Sequence, residues 1–125
     1  MKIISPRTAS GAAVAARPDR AATAIVYDAP AVRMVVFHLA PGQSVAPHRN
    51  PGVVVLMVLE GEGVLSGETE EQSVRAGDVA VYEPNELHGM RAGDTDLHLL
   101  ATIVHRQGAA APLATLSRPA AEEAR

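Results

Sequence analysis

The sequence predicts an all-β fold, an antiparallel sandwich or barrel. Three observations carry this expectation. Branched apolar residues cluster in short runs at 24–27, 32–39, 53–59, 79–82 and 97–104, with weaker runs at 63–65, 72–74 and 87–91. Turn signals separate them: Pro41-Gly42, Pro51-Gly52, Ser66-Gly67, Gly77-Asp78, Pro84-Asn85 and Gly93-Asp94. Helical periodicity is missing, because β-branched residues dominate and Gly or Pro interrupts every long window. Many short strands with frequent turns build sandwiches and barrels.

The runs fall in one stretch. Residues 25–106 hold nearly all the branched apolar side chains and form the expected barrel. Residues 1–24 are Ala-rich with scattered Pro, Gly and Arg, and read as an arm or loosely packed lead-in. Residues 107–125 return to Ala and Pro and read as a partly helical or frayed tail. A chain of 125 residues suits one domain with one core. Aromatic residues are only 2% of it (Tyr27, Phe37 and Tyr82), so Val, Leu, Ile, Met and Ala must fill that core. Residues 53–58 are apolar at every position, which calls for cover on both faces. One face lines the interior. The other meets a second sheet, the arms or another subunit, and a homodimer is therefore expected.

Composition also excludes. The net charge of −3 offers no general attraction to nucleic acid or an anionic membrane. Without cysteine, disulfides and thiolate zinc sites are ruled out. Lys2 is the only lysine beside ten arginines, a pattern expected of a GC-rich bacterial genome. Arg7, Arg17, Asp19 and Arg20 interrupt any apolar stretch of a signal peptide. No apolar run approaches the roughly 20 residues that span a bilayer. A cytoplasmic protein is expected.

Two segments carry chemistry. From Pro41 to Gly63 the chain reads P-G, then His48, then Leu59-Glu60-Gly61-Glu62-Gly63. Farther on come Arg75-Ala76-Gly77-Asp78, Pro84 and His88. Together they resemble the two motifs of the cupin family over residues 33–104. Gly42, five residues and His48 match the start of the first motif, and Gly61 its closing glycine. Gly77-Asp78 and His88 match the second, with Pro84 one position late. The resemblance implies an antiparallel double-stranded β-helix, a jelly-roll barrel with short terminal arms. It also implies a pocket that in typical members holds a metal on three His and one Glu.

The departures bear on function. Asn50 stands where the family has a second histidine, and Val54 (or Val55 at the longer spacing) where it has glutamate. Glu83, Asn85 and Ala92 replace the proline, glycine and asparagine of the second motif. His48 and His88 remain. A transition metal usually takes at least three protein donors. Asn50 offers a poor carbonyl oxygen, and His98, on the last long strand, is the further candidate ligand. His38 is a lesser one. Because both their strands are apolar on each side, alternation does not settle which way His38 and His98 face.

Two readings follow. In the first, a pocket of His48, Asn50, Val54 and His88 binds a small molecule, and Val54 makes it more apolar. In the second, a divalent Fe, Mn, Ni, Cu or Zn ion on His48 and His88 serves a dioxygenase, isomerase or decarboxylase. A metal-free epimerase ranks below both, because no carboxylate is evidently placed to orient either histidine. His38 and His98 read as partly buried structural histidines, Tyr82 as a packed strand residue, and Glu68, Glu70 and Glu71 as a solvated strand edge.

Overall fold

The computed structural model describes residues 1–13 and 20–105. A helix, α1 (Pro6–Ala13), precedes nine strands. They are β1 (Ala22–Asp28), β2 (Val32–Leu39), β3 (Ser44–His48), β4 (Val53–Glu60), β5 (Glu62–Ser66), β6 (Glu71–Arg75), β7 (Val79–Tyr82), β8 (His88–Ala92) and β9 (Leu97–Val104). They form two antiparallel sheets, of order β1-β2-β9-β4-β7 and β3-β8-β5-β6. From β2 onward the chain steps repeatedly between the sheets, which is the jelly-roll path. No described helix is long and apolar enough to cross a membrane.

The core lies between the sheets. Leu39, Val54, Leu56, Val58, Tyr82, Leu97, Leu99 and Ala101 enter from the five-stranded sheet, and Leu65, Met90 and Ala92 from the other. Side chains alternate between faces along a strand. His98, Leu100 and Thr102, which alternate with Leu97, Leu99 and Ala101 along β9, therefore face the other side.

That outer face is covered at one end by α1. Ser5 ends in a carbonyl that accepts the Ala9 N–H at 3.0 Å, and Pro6 opens the helix. Ser as N-cap and Pro at the first helical position is a favoured start. The helix packs on β1, β2 and β9. Ser10, Ala22, Val36, His38 and His98 are buried on this side of the sheet. The lead-in expected at 1–24 thus contains a docked helix and the start of β1. The tail expected at 107–125 lies outside the described residues.

Turn chemistry sets the ends of the strands. Gly61, between β4 and β5, has φ +89°, and a Cβ there would overlap the Asp96 carbonyl oxygen. Only glycine fits that hairpin. Asn85 adopts φ 66°, a conformation asparagine tolerates. The Asn85 N–H donates to the Asn50 carbonyl at 2.7 Å and ties the turn before β8 to the turn before β4.

Candidate functional site

His48 ends β3 and His88 begins β8, and the two residues are paired across that ladder. Their ring centroids lie 4.2 Å apart. The sequence-predicted pair is therefore brought together by one strand register. His48 is exposed at the rim, and His88 is buried. The His48 Nδ1–H donates to the Ala46 carbonyl and the His88 Nδ1–H to the Glu86 carbonyl, both at 3.1 Å. A carbonyl can only accept, so each Nδ1 carries the proton and each Nε2 is left with a lone pair.

Behind the rings lies a cavity of about 40 Å³, also lined by Phe37, Val54, Leu56 and Met90. Val54 is buried and occupies the wall as expected for the pocket. Asn50 reaches the cavity too, but its Oδ1 accepts the Gly52 N–H at 2.8 Å in an Asx turn. That oxygen is engaged in shaping the turn, and the Asn50 amide NH₂ remains as a donor.

His88 is held below the ordinary imidazole value. Burial is the main cause and the neighbouring His48 adds to it, while the Glu86 carbonyl and carboxylate act in opposition. Tyr82 stacks 4.8 Å from His88, and its hydroxyl donates to the Ser66 carbonyl at 2.9 Å. Burial, then Glu86 and Glu70, push the phenol upward. Tyr82 is thus a packed wall with an engaged hydroxyl.

Glu68 departs from the solvated edge expected of it. It lies in the turn after β5, pairs with Arg49 and accepts the Leu87 N–H at 2.8 Å. Arg49 also donates to the Asn85 carbonyl at 2.8 Å. These bonds brace the mouth beside His48 and His88. The Arg49 hydrogen bond and the Leu87 N–H lower the Glu68 carboxyl.

His98 is placed elsewhere, which corrects its assignment as a further ligand beside His48 and His88. It faces His38 in direct register on β2 and β9, with ring centroids 4.0 Å apart. Both rings point away from the core, toward α1. Sequence alternation missed this because apolar residues flank both histidines on both sides. The sequence reading did not single out Asp96, whose Oδ2 lies 2.7 Å from His38 Nε2.

A cupin metal does not fit the His48–His88 pocket well on this donor set. Two Nε2 atoms are available, Val54 supplies methyl groups, and the Asn50 oxygen is engaged. The protein contributes two firm donors against the usual three or more.

The family model described as the cupin domain matches residues 35–103. The oxalate-binding protein of Thermotoga maritima is 37% identical over 68 residues, which are 53% of this chain and 56% of that protein. This chain therefore spans little more than half of that curated relative. A crystal structure of a protein described as a predicted oxalate decarboxylase, also from Thermotoga maritima, is 30% identical with TM-score 0.64. The match covers 67% of this chain and 79% of that one. An RmlC-like cupin from Desulfovibrio desulfuricans is 30% identical with TM-score 0.65, over 70% of this chain and 84% of that one. An uncharacterised double-stranded β-helix protein from Klebsiella pneumoniae matches in fold, with TM-score 0.72 and 24% identity over 83% and 90% of the two chains.

Proposed function

This chain belongs to the cupin family, and from that premise we propose that it binds a small carboxylate between His48 and His88. One observation carries the reading. The cavity of about 40 Å³ has apolar walls, and its uncommitted polar groups are two imidazole Nε2 atoms and the Asn50 amide. At roughly 10–15 Å³ for each water, it has room for about three waters. The ligand is accordingly a molecule of few heavy atoms. A small dicarboxylate suits this, and the Thermotoga relative is an oxalate-binding protein by name.

Charge sets a test. A carboxylate presents acceptors, and the two Nε2 atoms are acceptors too. Binding must therefore bring protons onto the rings, turning both into donors beside the Asn50 amide. Affinity for oxalate should rise as pH falls, and because burial holds His88 below the ordinary imidazole value the rise should continue below that value. Calorimetric titration at several pH values reads this directly. His48→Ala/His88→Ala should abolish binding. Affinity that is flat with pH, or unchanged in the double variant, would reject the proposal.

A metal-dependent enzyme is the second reading, and one observation favours it. Each Nδ1–H rests on a backbone carbonyl, the arrangement that orients ligating histidines in metal sites. Fe, Mn, Ni, Cu or Zn on His48 and His88 would need solvent, a substrate or a rotated Asn50 as further donors. Elemental analysis of untagged protein decides between the readings. About one metal per chain, lost in His48→Ala/His88→Ala, would favour the enzyme.

A second copy of the chain completes the proposal. Met57, Val79, Val81 and Val104 are exposed on the outer face of β4, β7 and β9, the half of the sheet that α1 leaves uncovered. Pairing this face with its copy supplies the cover that the apolar β4 calls for.

A further inference from the structure

At the opposite end of the five-stranded sheet, His38, Asp96 and His98 form a compact set on the face that α1 covers. The ligand-capable atoms of the three lie within 4.8 Å of one another. We infer that this set is a second site, distinct from the His48–His88 pocket, that binds a divalent transition metal ion.

The backbone does the assembling. His38 and His98 are directly opposed on β2 and β9, and Glu60 opposes His98 from β4. Asp96 immediately precedes β9, so its position follows from the same register. Its loop is held on both sides. The Thr95 hydroxyl accepts the Glu62 N–H at 3.3 Å, and the bare Gly61 backbone closes on the Asp96 carbonyl. Donors on rigid strands are already near their bound spacing. Metal–donor bonds of about 2.0–2.2 Å put neighbouring donors roughly 3 Å apart, so closure needs shifts of about an ångström.

Hydrogen bonding sets the tautomer of His98. The Ser10 hydroxyl donates to the Arg7 carbonyl at 3.1 Å. Having spent its only proton, its oxygen accepts from His98 Nδ1 at 2.9 Å. The His98 Nε2 lone pair is thus left for a ligand. A hydroxyl holding the far nitrogen is the outer contact that steadies a metal-bound imidazole.

His38 supports the same assignment. It is only 5% exposed, and its Nδ1 has no hydrogen-bond partner among the described residues. A buried nitrogen without a partner is costly, and an apolar residue would serve packing better. The ring is held by its Nε2, which faces Asp96 at 2.7 Å.

Two imidazoles and one carboxylate suit Zn²⁺, Fe²⁺, Co²⁺ or Ni²⁺ over Mg²⁺ or Ca²⁺, which prefer all-oxygen shells. His98 and Asp96 also line an open cleft with Glu60. Coordination positions not filled by protein can take water or Glu60 from that side. In the metal-free protein, His38 Nε2–H donates to Asp96. Protons compete with a metal ion for the imidazole and carboxylate donors, so the affinity falls as pH is lowered. This is the opposite sign to carboxylate binding at His48 and His88.

The test uses the full, untagged chain stripped with a chelator and titrated with Co²⁺, whose visible absorption reports coordination. The expected result is one equivalent bound that persists in His48→Ala/His88→Ala. Asp96→Asn and His98→Gln should each weaken it by more than about tenfold, since even outer contacts are worth that much. Histidine resonances of the unaltered chain provide a reading that does not depend on variants folding. Paramagnetic Co²⁺ should perturb His38 and His98 first. Absence of stoichiometric binding, loss of it in the His48/His88 variant alone, or first perturbation of His48 and His88 would overturn the inference.

Discussion

Val54 bears most directly on what the pocket can do. It is buried in the wall behind His48 and His88, at the position where the family's carboxylate is expected. Val54→Glu should restore a third donor and raise metal uptake by about one ion per chain over the parent by elemental analysis. The same variant should melt at lower temperature without metal, because an uncompensated carboxylate is costly to bury. If it takes up no more metal than the parent, Val54 is not what limits the site. His48 and His88 were legible in the sequence because each sits at a fixed offset from a turn glycine. The service of Asn50 Oδ1 to Gly52 was not, since it depends on how the turn closes.

Among the elements, α1 and β9 do the most to separate the two histidine pairs. β9 sends Leu97 and Leu99 into the core and His98 outward beneath α1. Leu97→Ala and Leu99→Ala, both at fully buried positions, should each destabilise the fold by about 2–5 kcal/mol in denaturant titrations. Ser10→Ala removes the bond to His98 and should cost roughly 1–3 kcal/mol, because it leaves a buried donor unpaired. Proteolysis at α1 should quicken in that variant. An unchanged melt and cleavage rate would mean that the helix docks through other contacts. Strand β3 escaped the sequence reading because Pro47 lies within it. It is an edge strand with an irregular register between Val45 and His48, where proline is tolerated.

The protein as a unit should lose stability in mild acid. His88 and His98 both have folded values below their ordinary 6.5, chiefly through burial. Well above that value neither the folded nor the unfolded chain binds the proton, and the effect is silent. As pH falls through it, the unfolded chain takes up protons that the folded chain resists, and stability declines. Glu68, lowered by Arg49, acts in the same direction below the carboxylate range. The melting midpoint should therefore fall as pH drops from about 7.5 to 5, and oxalate should offset the fall if His88 is its partner. A midpoint constant over that interval would contradict the burial argument. Light scattering should report a dimer, and Val79→Lys/Val81→Lys should shift it to monomer if β4 and β7 form the contact. A monomeric parent would reject that surface.

Five strands with clear apolar runs, three weaker ones and the His48–His88 pair could be read directly from the chain. Alternation, turn residues and motif spacing are local properties, and these features depend on little else. The docking of α1, the outward facing of His98 and its meeting with His38, Asp96 and Ser10 could not. Ser10 and His98 are 88 positions apart, and their contact exists only once β2, β9 and the helix are assembled. On strands apolar on both faces, sequence does not say which side is inside. That choice belongs to the sheet that fills the core and to the helix that covers the remaining face.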